Sequence, residues 1–581
     1  MPGNQLQLAW LVAFSCAATP SFGTIRTSFA SPMVKVLLED PLPAPVVSTW
    51  TVSMARGEQE SFQFLIHADG GAHHGLTVEN SLAGAPNLAV KMSLVGYVHT
   101  AAGDPRPWAE REPLPRIGWW PDPLLPMRPF DVATGETQPV WIRIEAPTDA
   151  HSGLYRGLLR VMQGRRQLAS VRYLVRVFHV TLPKRQQLRN AAFMPAGNLF
   201  AHYQTPGGME SPTFFELYKR WAREAFSQHL GPTFDMMMGW NQGQIRTDTT
   251  AGPLGPTGNM LLGRRGSHLV WPVLGQSGAY DFHLTDALDE LGREYGMRQF
   301  SIGIFDRETP WSGQTEEAKR ELADYLRAYA AHLKKRGRWD ASYIYNVDEP
   351  PEEQWDTVRN NHLLVKSIAP DLKTWLCLNQ PKAVSQLHSY ADILDVYIRQ
   401  FDSSGVEQVR KSGKQVIWAV CVWPNEHPNL FIEYPAVDAR AIGWLTYRYG
   451  ISGFEYWGLN QWGENTGVRD WANFRSGETR TKWRRTKWPW GDGWLLYPGE
   501  NGEPLASIRF ENLRDGFEDS ELLSQLAGQA GRDSADQLAA EVAGSIESYH
   551  TNPQDFAAAH VRLLQRLEPG KPSARQAARR D

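Results

Sequence analysis

Between residues 190 and 462 the chain keeps switching its period, and this alternation constrains the fold more than any other feature. Phe214, Leu217, Tyr218, Trp221 and Ala225 keep helical spacing. So do Leu284, Ala287, Leu288, Leu291 and Tyr295, and again Leu322, Tyr325, Leu326, Tyr329 and Leu333. Such spacing places one apolar stripe on each of three amphipathic helices. Between and after them stand short apolar runs: "FSIGIF", "SYIYNV", "KTWLCLN", "LDVYI", "QVIWAVCVW" and "GFEYWG". Strands alternating with helices imply βαβ units and a parallel sheet. The units between Asn190 and Trp462 suffice for a (β/α)₈ barrel of the TIM type. A doubly wound open sheet is the alternative, but no Gly-rich phosphate turn follows an early strand.

A chain of 581 residues is too long for one core. From Val34 to Pro183 the runs "VKVLL", "TWTVSM", "SFQFLIH", "LAVKMSLVGYV", "PVWIRIEAP" and "VRYLVRVFHV" are short and β-branched or aromatic. Turn residues separate them, which predicts a β-sandwich of about 150 residues. "VTLPKRQQL", Val180 to Leu188, reads as the linker out of it. The expected architecture is therefore multidomain: a leader at 1–30, a β-sandwich at 31–183, and a catalytic barrel with its extension at 184–525. A helical and disordered tail at 526–581 ends in "PGKPSARQAARRD". "LAWLVAFSCAATPSFG", Leu8 to Gly23, has the length and small-residue ending of a signal peptide, although no Lys or Arg precedes it. Export to a periplasm or the exterior is the expectation. No stretch is apolar for the ~20 residues a membrane span needs.

Composition removes several function classes. A net charge of −3 gives no electrostatic footprint for nucleic acid or an anionic membrane. Three cysteines, Cys16, Cys377 and Cys421, exclude a disulfide framework and a Cys-rich zinc site. A Cys377–Cys421 bridge stays open beside the reading of two buried thiols. Histidines do not cluster: "HEXXH" is absent and His427 stands alone. No "GXSXG" elbow and no Walker loop occur, so neither a metal nor a cofactor is expected. The oligomeric state is not encoded in any pattern.

In a barrel, chemistry sits where the strands end. The apolar runs close on Asp306-Arg307-Glu308, Asp348-Glu349, Asn379, Arg399-Gln400, Trp418 to Trp423, and Glu455 to Trp457. Acids, amides and tryptophans suit a neutral polyhydroxylated ligand, since an indole offers a flat face and one donor. Of 23 tryptophans, Trp457, Trp462, Trp471, Trp483, Trp488, Trp490 and Trp494 crowd one Gly- and Pro-rich segment that reads as a loop at the mouth. Asp348 and Glu349 supply what glycoside hydrolysis requires, an acid for the leaving oxygen and a second group for the oxocarbenium-like centre. A capping or salt-bridging pair is the structural alternative. Glu455 could serve as a nucleophile about 5–5.5 Å from the acid, or be a buried acid paired with an Arg. Asp306 and Glu308 flank Arg307, as an ion pair or as ligands to substrate. "RFENLRDGFEDSE", Arg509 to Glu521, is most simply a solvated or ion-paired helix.

Four stretches carry a family likeness: "VDEP" at Val347–Pro350, "GFEYWGLNQW" at Gly453–Trp462, "GDGWLLYPG" at Gly491–Gly499 and "SIRFENLRDGFEDSELL" at Ser507–Leu523. "WWPDPLLP" and "GETQPVWIRIEAP" add to it. Together they resemble glycoside hydrolase family 123, whose characterised members are exo-acting N-acetyl-β-galactosaminidases with a β-sandwich before the barrel. The resemblance implies a substrate-assisted retaining mechanism, an exception to the two-carboxylate scheme. Asp348 would orient the 2-acetamido group and Glu349 would be the general acid/base. Trp418, Glu455, Trp457, Asn460, Trp462, Asn379 and Asp306 are the candidates for holding a glycan or glycoconjugate substrate. The family often has an aromatic residue near Trp418, where this chain has Ala419 and Val420. Two other readings remain: a retaining glycosidase for a sugar without the acetamido group, using Glu349 and Glu455, and a glycan-binding protein without turnover.

Overall fold

A computed structural model describes residues 23–85, 87–100, 118–184, 186–208, 211–232, 273–274, 280–305, 316–401, 403–422, 426–461, 480–482 and 489–568. The leader up to residue 22 with Cys16, the Asp306-Arg307-Glu308 cluster, Trp462, Trp471, Trp483 and Trp488, and the final residues from 569 lie outside the described residues.

The N-terminal region is built of two sheets. In one, Thr24–Ala30, Gln59–Asp69, Thr137–Glu145 and Ala89–Thr100 lie side by side, with Gly118–Pro126 also paired to the last. In the other the order is Thr49–Arg56, Arg166–Thr181, Gly153–Gln163, His73–Ala83 and Phe130–Val132. Strand alternation turns Phe62, Phe64 and Ile66 to one face, and all three are fully buried. There Phe29 and Phe62 of the first sheet meet Trp50 and Tyr173 of the second, at ring separations of 6.4 and 5.2 Å. Two expectations need correction. Thr24–Ala30, assigned to the leader, is a strand paired with Gln59–Asp69. "VKVLL" forms no strand; instead the Lys35 ammonium reaches across to the carbonyls of Phe431 and Ile432.

Among the described residues the second region holds seven parallel strands in the order Ala191–Ala192, Gly453–Tyr456, Gln415–Ala419, Ile393–Tyr397, Lys373–Leu378, Ser342–Tyr345 and Phe300–Ile304. The order runs monotonically around the sheet, without the reversal that defines a doubly wound fold. Ala192 also bridges Pro232 in parallel on its free side. The sheet is thus nearly closed into a barrel, with one seam, between Pro232 and Phe300–Ile304, unpaired among the described residues. Arg480–Lys482, from beyond the last parallel strand, joins the N-terminal sheet beside Tyr97–His99.

The charge-dense helix, Ile508–Ala530, corrects the solvated reading. Every residue from Ile508 to Leu523 is buried. It touches the helix Val437–Arg448 so closely that a Cβ on Gly443 would stand 1.9 Å from the Gly516 carbonyl oxygen. Its charges are answered within the helix and from elsewhere in the chain. Arg440 donates to Glu60 and Asp519 at 2.7 Å each, while Glu511 accepts from Arg143 at 2.9 Å and Arg514 at 2.7 Å. Buried charges of this kind persist only when each is paired and hydrogen-bonded.

The expected tail is structured as far as residue 568, with helices Arg532–Ala540 and Pro553–Leu567. His560 of the latter places Nδ1 2.7 Å from Asp519 and Nε2 3.1 Å from the Ser53 carbonyl oxygen, so both ring nitrogens face acceptors. Burial alone would push its pKa down, but Glu58, Asp519 and Glu60 outweigh this and hold it up at about 10. A raised histidine stabilises the fold fully below its ordinary range near ~6.5, and the contribution is lost as pH rises through the folded value. The difference in thermal midpoint between wild type and His560→Gln should therefore be large at pH 6 and shrink towards pH 10. A difference that is constant with pH would refute an imidazolium at this position.

Candidate active site

The strand Ser342–Tyr345 leads into Asn346, which fixes how the chain leaves the sheet. The Asn346 N–H donates to the Trp375 carbonyl at 2.7 Å, and its side-chain amide donates to the Val358 carbonyl at 3.1 Å. Its Oδ1 accepts from the Val347 N–H at 2.8 Å and from Asn361 at 3.2 Å. With this turn pinned, Asp348 and Glu349 emerge half-buried at the C-terminal end of the strand. Glu349 has φ +42°, a left-handed conformation that costs a non-glycine residue of order 1 kcal/mol or more. Pro350 behind it disfavours the ordinary helical alternative. Tyr345 donates its hydroxyl to Asp348 Oδ1 at 2.9 Å, and Tyr397, two strands away, donates to Glu349 Oε1 at 2.5 Å.

Strand register places more chemistry beside this pair. Tyr397 lies opposite Ala419, Ala419 opposite Glu455, and Glu455 opposite Ala191. Glu455 is thus a buried acid flanked by two small residues, and its Oε1 has no hydrogen-bond partner among the described residues. Burial, then Asp395, Asp348 and Glu349, push its pKa well above the usual carboxylate range. Asp395, fully buried, is raised in the same way, although Trp375 Nε1 donates to its Oδ2 at 3.2 Å. Of four neighbouring carboxyl groups, two are half-exposed and two are driven to hold protons.

The remaining candidates separate. Trp457 is half-buried against Tyr397, Ala419, Cys421 and Val422, and donates Nε1 to Asp492 Oδ1 at 2.9 Å. Asn379 is half-buried directly after the strand Lys373–Leu378. Trp418 requires a correction: it is wholly buried, bonded through Nε1 to Thr446 at 3.0 Å and packed on Phe401 and Tyr449. Alternation along Gln415–Ala419 sends it to the opposite side of the sheet from Ala419. Asn460 is likewise internal, donating to the Pro195 carbonyl at 3.1 Å, and so fastens a loop rather than facing substrate. Cys377 and Cys421 are buried free thiols, which closes the question of a bridge.

Four residues of the site lay outside the sequence-based set: Tyr345, Tyr397, Asp395 and Asp492. Asp395 had a signal, since an acid inside "LDVYI" is costly unless it has a task. The tyrosines had none, because an aromatic in an apolar run reads equally well as core.

The sequence model of the glycoside hydrolase 123 catalytic domain matches residues 267–526. A solved family 123 glycoside hydrolase from Clostridium perfringens, described in terms of glycolipid glycan hydrolysis, superposes with a TM-score of 0.65 at 14% identity, over 94% of this chain and 97% of that one. At that identity the likeness shows the fold. A family 39 glycoside hydrolase from Bacteroides cellulosilyticus reaches a TM-score of only 0.30 at 10% identity, over 80% of this chain and 81% of its own. Among curated proteins no sequence matches. The match spans the strand end that bears Asp348 and Glu349, the strand with Glu455, and the buried helix Ile508–Ala530 up to residue 526. Residues 267–526 thus match the glycoside hydrolase 123 catalytic domain, within a fold shared with a solved family 123 enzyme.

Proposed function

We propose that the protein is an exported, exo-acting glycosidase that releases a β-linked N-acetylhexosamine, N-acetylgalactosamine foremost, from a glycan or glycoconjugate by substrate-assisted retention. The observation that carries this reading is the pair of adjacent acids held by separate phenols. Asp348, held by Tyr345, would accept the acetamido N–H and so turn the acetamido oxygen towards the anomeric carbon. That oxygen attacks as the glycosidic bond breaks, and Glu349 gives its proton to the leaving oxygen. Water then opens the resulting oxazolinium ion while Glu349 takes the proton back, so net retention follows from two inversions. Ala419 carries no aromatic ring, but its neighbour across the strand pair, Tyr397, supplies a phenol to the site through Glu349.

The competing glycosidase reading needs Glu455 ionised as a nucleophile. Burial and three neighbouring acids work against that, and favour a role for Glu455 as a neutral group that binds the sugar. The Clostridium perfringens relative supports a glycolipid glycan as substrate class. The monotonic strand order and the Pro232 bridge support a β-sandwich ahead of a (β/α)₈ barrel, and the leader-like Leu8 to Gly23 supports export. No helix among the described residues is long and apolar enough to cross a membrane.

Aryl β-glycosides with and without the 2-acetamido group test the reading. Turnover is expected only with the acetamido group present. Equal turnover of both overturns substrate assistance, and glycan binding with no turnover of any aryl glycoside favours a lectin-like protein.

A further inference from the structure

The stretches that carry the family likeness outside the catalytic strand meet in one buried brace that ends on the Trp457 ring. "WWPDPLLP" contributes Asp122, which is wholly buried and takes Arg509 Nε and Nη2 at 2.9 and 2.8 Å. "SIRFEN" contributes Arg509, itself 1% exposed. Beyond Asp122, the guanidinium donates to the carbonyls of Gly491 and Trp494, at 2.8 Å each. These two carbonyls flank Asp492 and Gly493 of "GDGWLLYPG", so the loop is gripped on both sides. Tyr456 grips it again, its hydroxyl donating to the Gly491 carbonyl at 3.3 Å and accepting from the Gly493 N–H at 3.0 Å.

The loop is shaped to the indole. Gly493 has φ +84°, and a Cβ there would stand 2.4 Å from the Trp457 ring. Asp492, wholly buried, accepts the indole N–H at 2.9 Å. Its pKa is pushed up by burial to about 7, with Trp457, Arg509 and the Val422 N–H opposing. Every member of the brace is internal except the far end, where the half-buried Trp457 packs on the cluster of Tyr397, Ala419, Cys421 and Val422, and Tyr397 holds Glu349.

We propose that Asp492 is a positioning residue that sets the Trp457 ring as the platform for the sugar. In this arrangement Asp122 and Arg509 hold its loop in place, so the N-terminal sheets govern substrate binding and not the chemical step. The inference rests on the glycosidase reading and extends it to residues that touch no reacting atom. An indole face against a sugar ring, fixed in orientation, contributes equally to ground and transition states, so its loss appears in KM.

The test compares Asp492→Ala and Asp492→Asn on an aryl N-acetyl-β-galactosaminide. The Ala variant should raise KM about tenfold, the equivalent of one aromatic contact, with kcat within about twofold. The Asn variant keeps an acceptor at Oδ1 and should restore KM to within about twofold of wild type. In parallel, the indole ¹⁵N–H resonance of Trp457, identified by its loss in Trp457→Phe, should move on titration with N-acetylgalactosamine in wild type and not in Asp492→Ala. An unchanged KM in Asp492→Ala overturns the inference, as does a fall in kcat that Asn fails to rescue. If wild type turns over no aryl glycoside, the glycosidase reading fails, and the resonance still decides: a Trp457 signal unmoved by the sugar overturns the inference as well.

Discussion

Glu349→Gln is expected to lower kcat about 10²–10⁴-fold on aryl N-acetyl-β-galactosaminides, the usual contribution of a general acid. The substitution keeps size and shape, and the new amide oxygen can still accept the Tyr397 hydroxyl that now reaches Glu349 at 2.5 Å. What is removed is the proton for the leaving oxygen and the base that later activates water. The loss should therefore be larger for leaving groups of high pKa, which need protonation, than for nitrophenol. KM should change little, because Trp457 and the buried acids are untouched. Wild-type turnover of a poor leaving group by this variant would exclude Glu349 as the acid.

Arg440→Met is expected to destabilise the protein by about 3–5 kcal/mol, the cost of removing one partner from a buried charge set. The Arg440 side chain is 3% exposed and lies within ion-pairing distance of Glu60, Asp515 and Asp519. Without it, carboxylates from the N-terminal sheet and from the helix Ile508–Ala530 face each other in a dry interface. His560 compensates Asp519 only in part. Arg327→Met supplies the contrast, since the Arg327–Asp324 pair is 66% and 71% exposed and its loss should cost less than about 1 kcal/mol. Chemical denaturation of the two variants side by side checks both values. Equal stabilities would mean that the buried set is not coupled to folding.

The parallel sheet of the second region was legible because period and strand-end residues are local properties. "SYIYNVDEPP" shows its apolar run and its two acids within ten letters, and the structure places the acids at the strand end. Which face a side chain takes is less local. In "QVIWAVCVW" both faces of the strand are buried, so no polar alternation marks the inward one, and Trp418 was assigned to the wrong side. Ala419, whose small size seemed only a missing aromatic, faces Tyr397 and leaves room beside Glu455. The helix Ile508–Ala530 read equally as solvated or ion-paired because its partners, Arg143 and Arg440, lie far away along the chain. Charge density is readable from a window of sequence, whereas the countercharges that decide burial are not.

The charge set also imposes an order in time. His560 reaches back 507 positions to the Ser53 carbonyl. At about 5–20 residues per second on the ribosome, Ser53 is made roughly 25–100 s before its partner. During that interval Glu58 and Glu60 wait first for Arg440, then for Asp519, and last for His560 to complete their surroundings. The N-terminal sheets can collapse around Phe62 and Tyr173 early, but their charged face must stay wet until the last helices arrive. A nascent chain halted before Asp519 would therefore expose an acidic seam where the finished protein has a dry one, and arrival of the helix Pro553–Leu567 becomes the step that seals the two regions together.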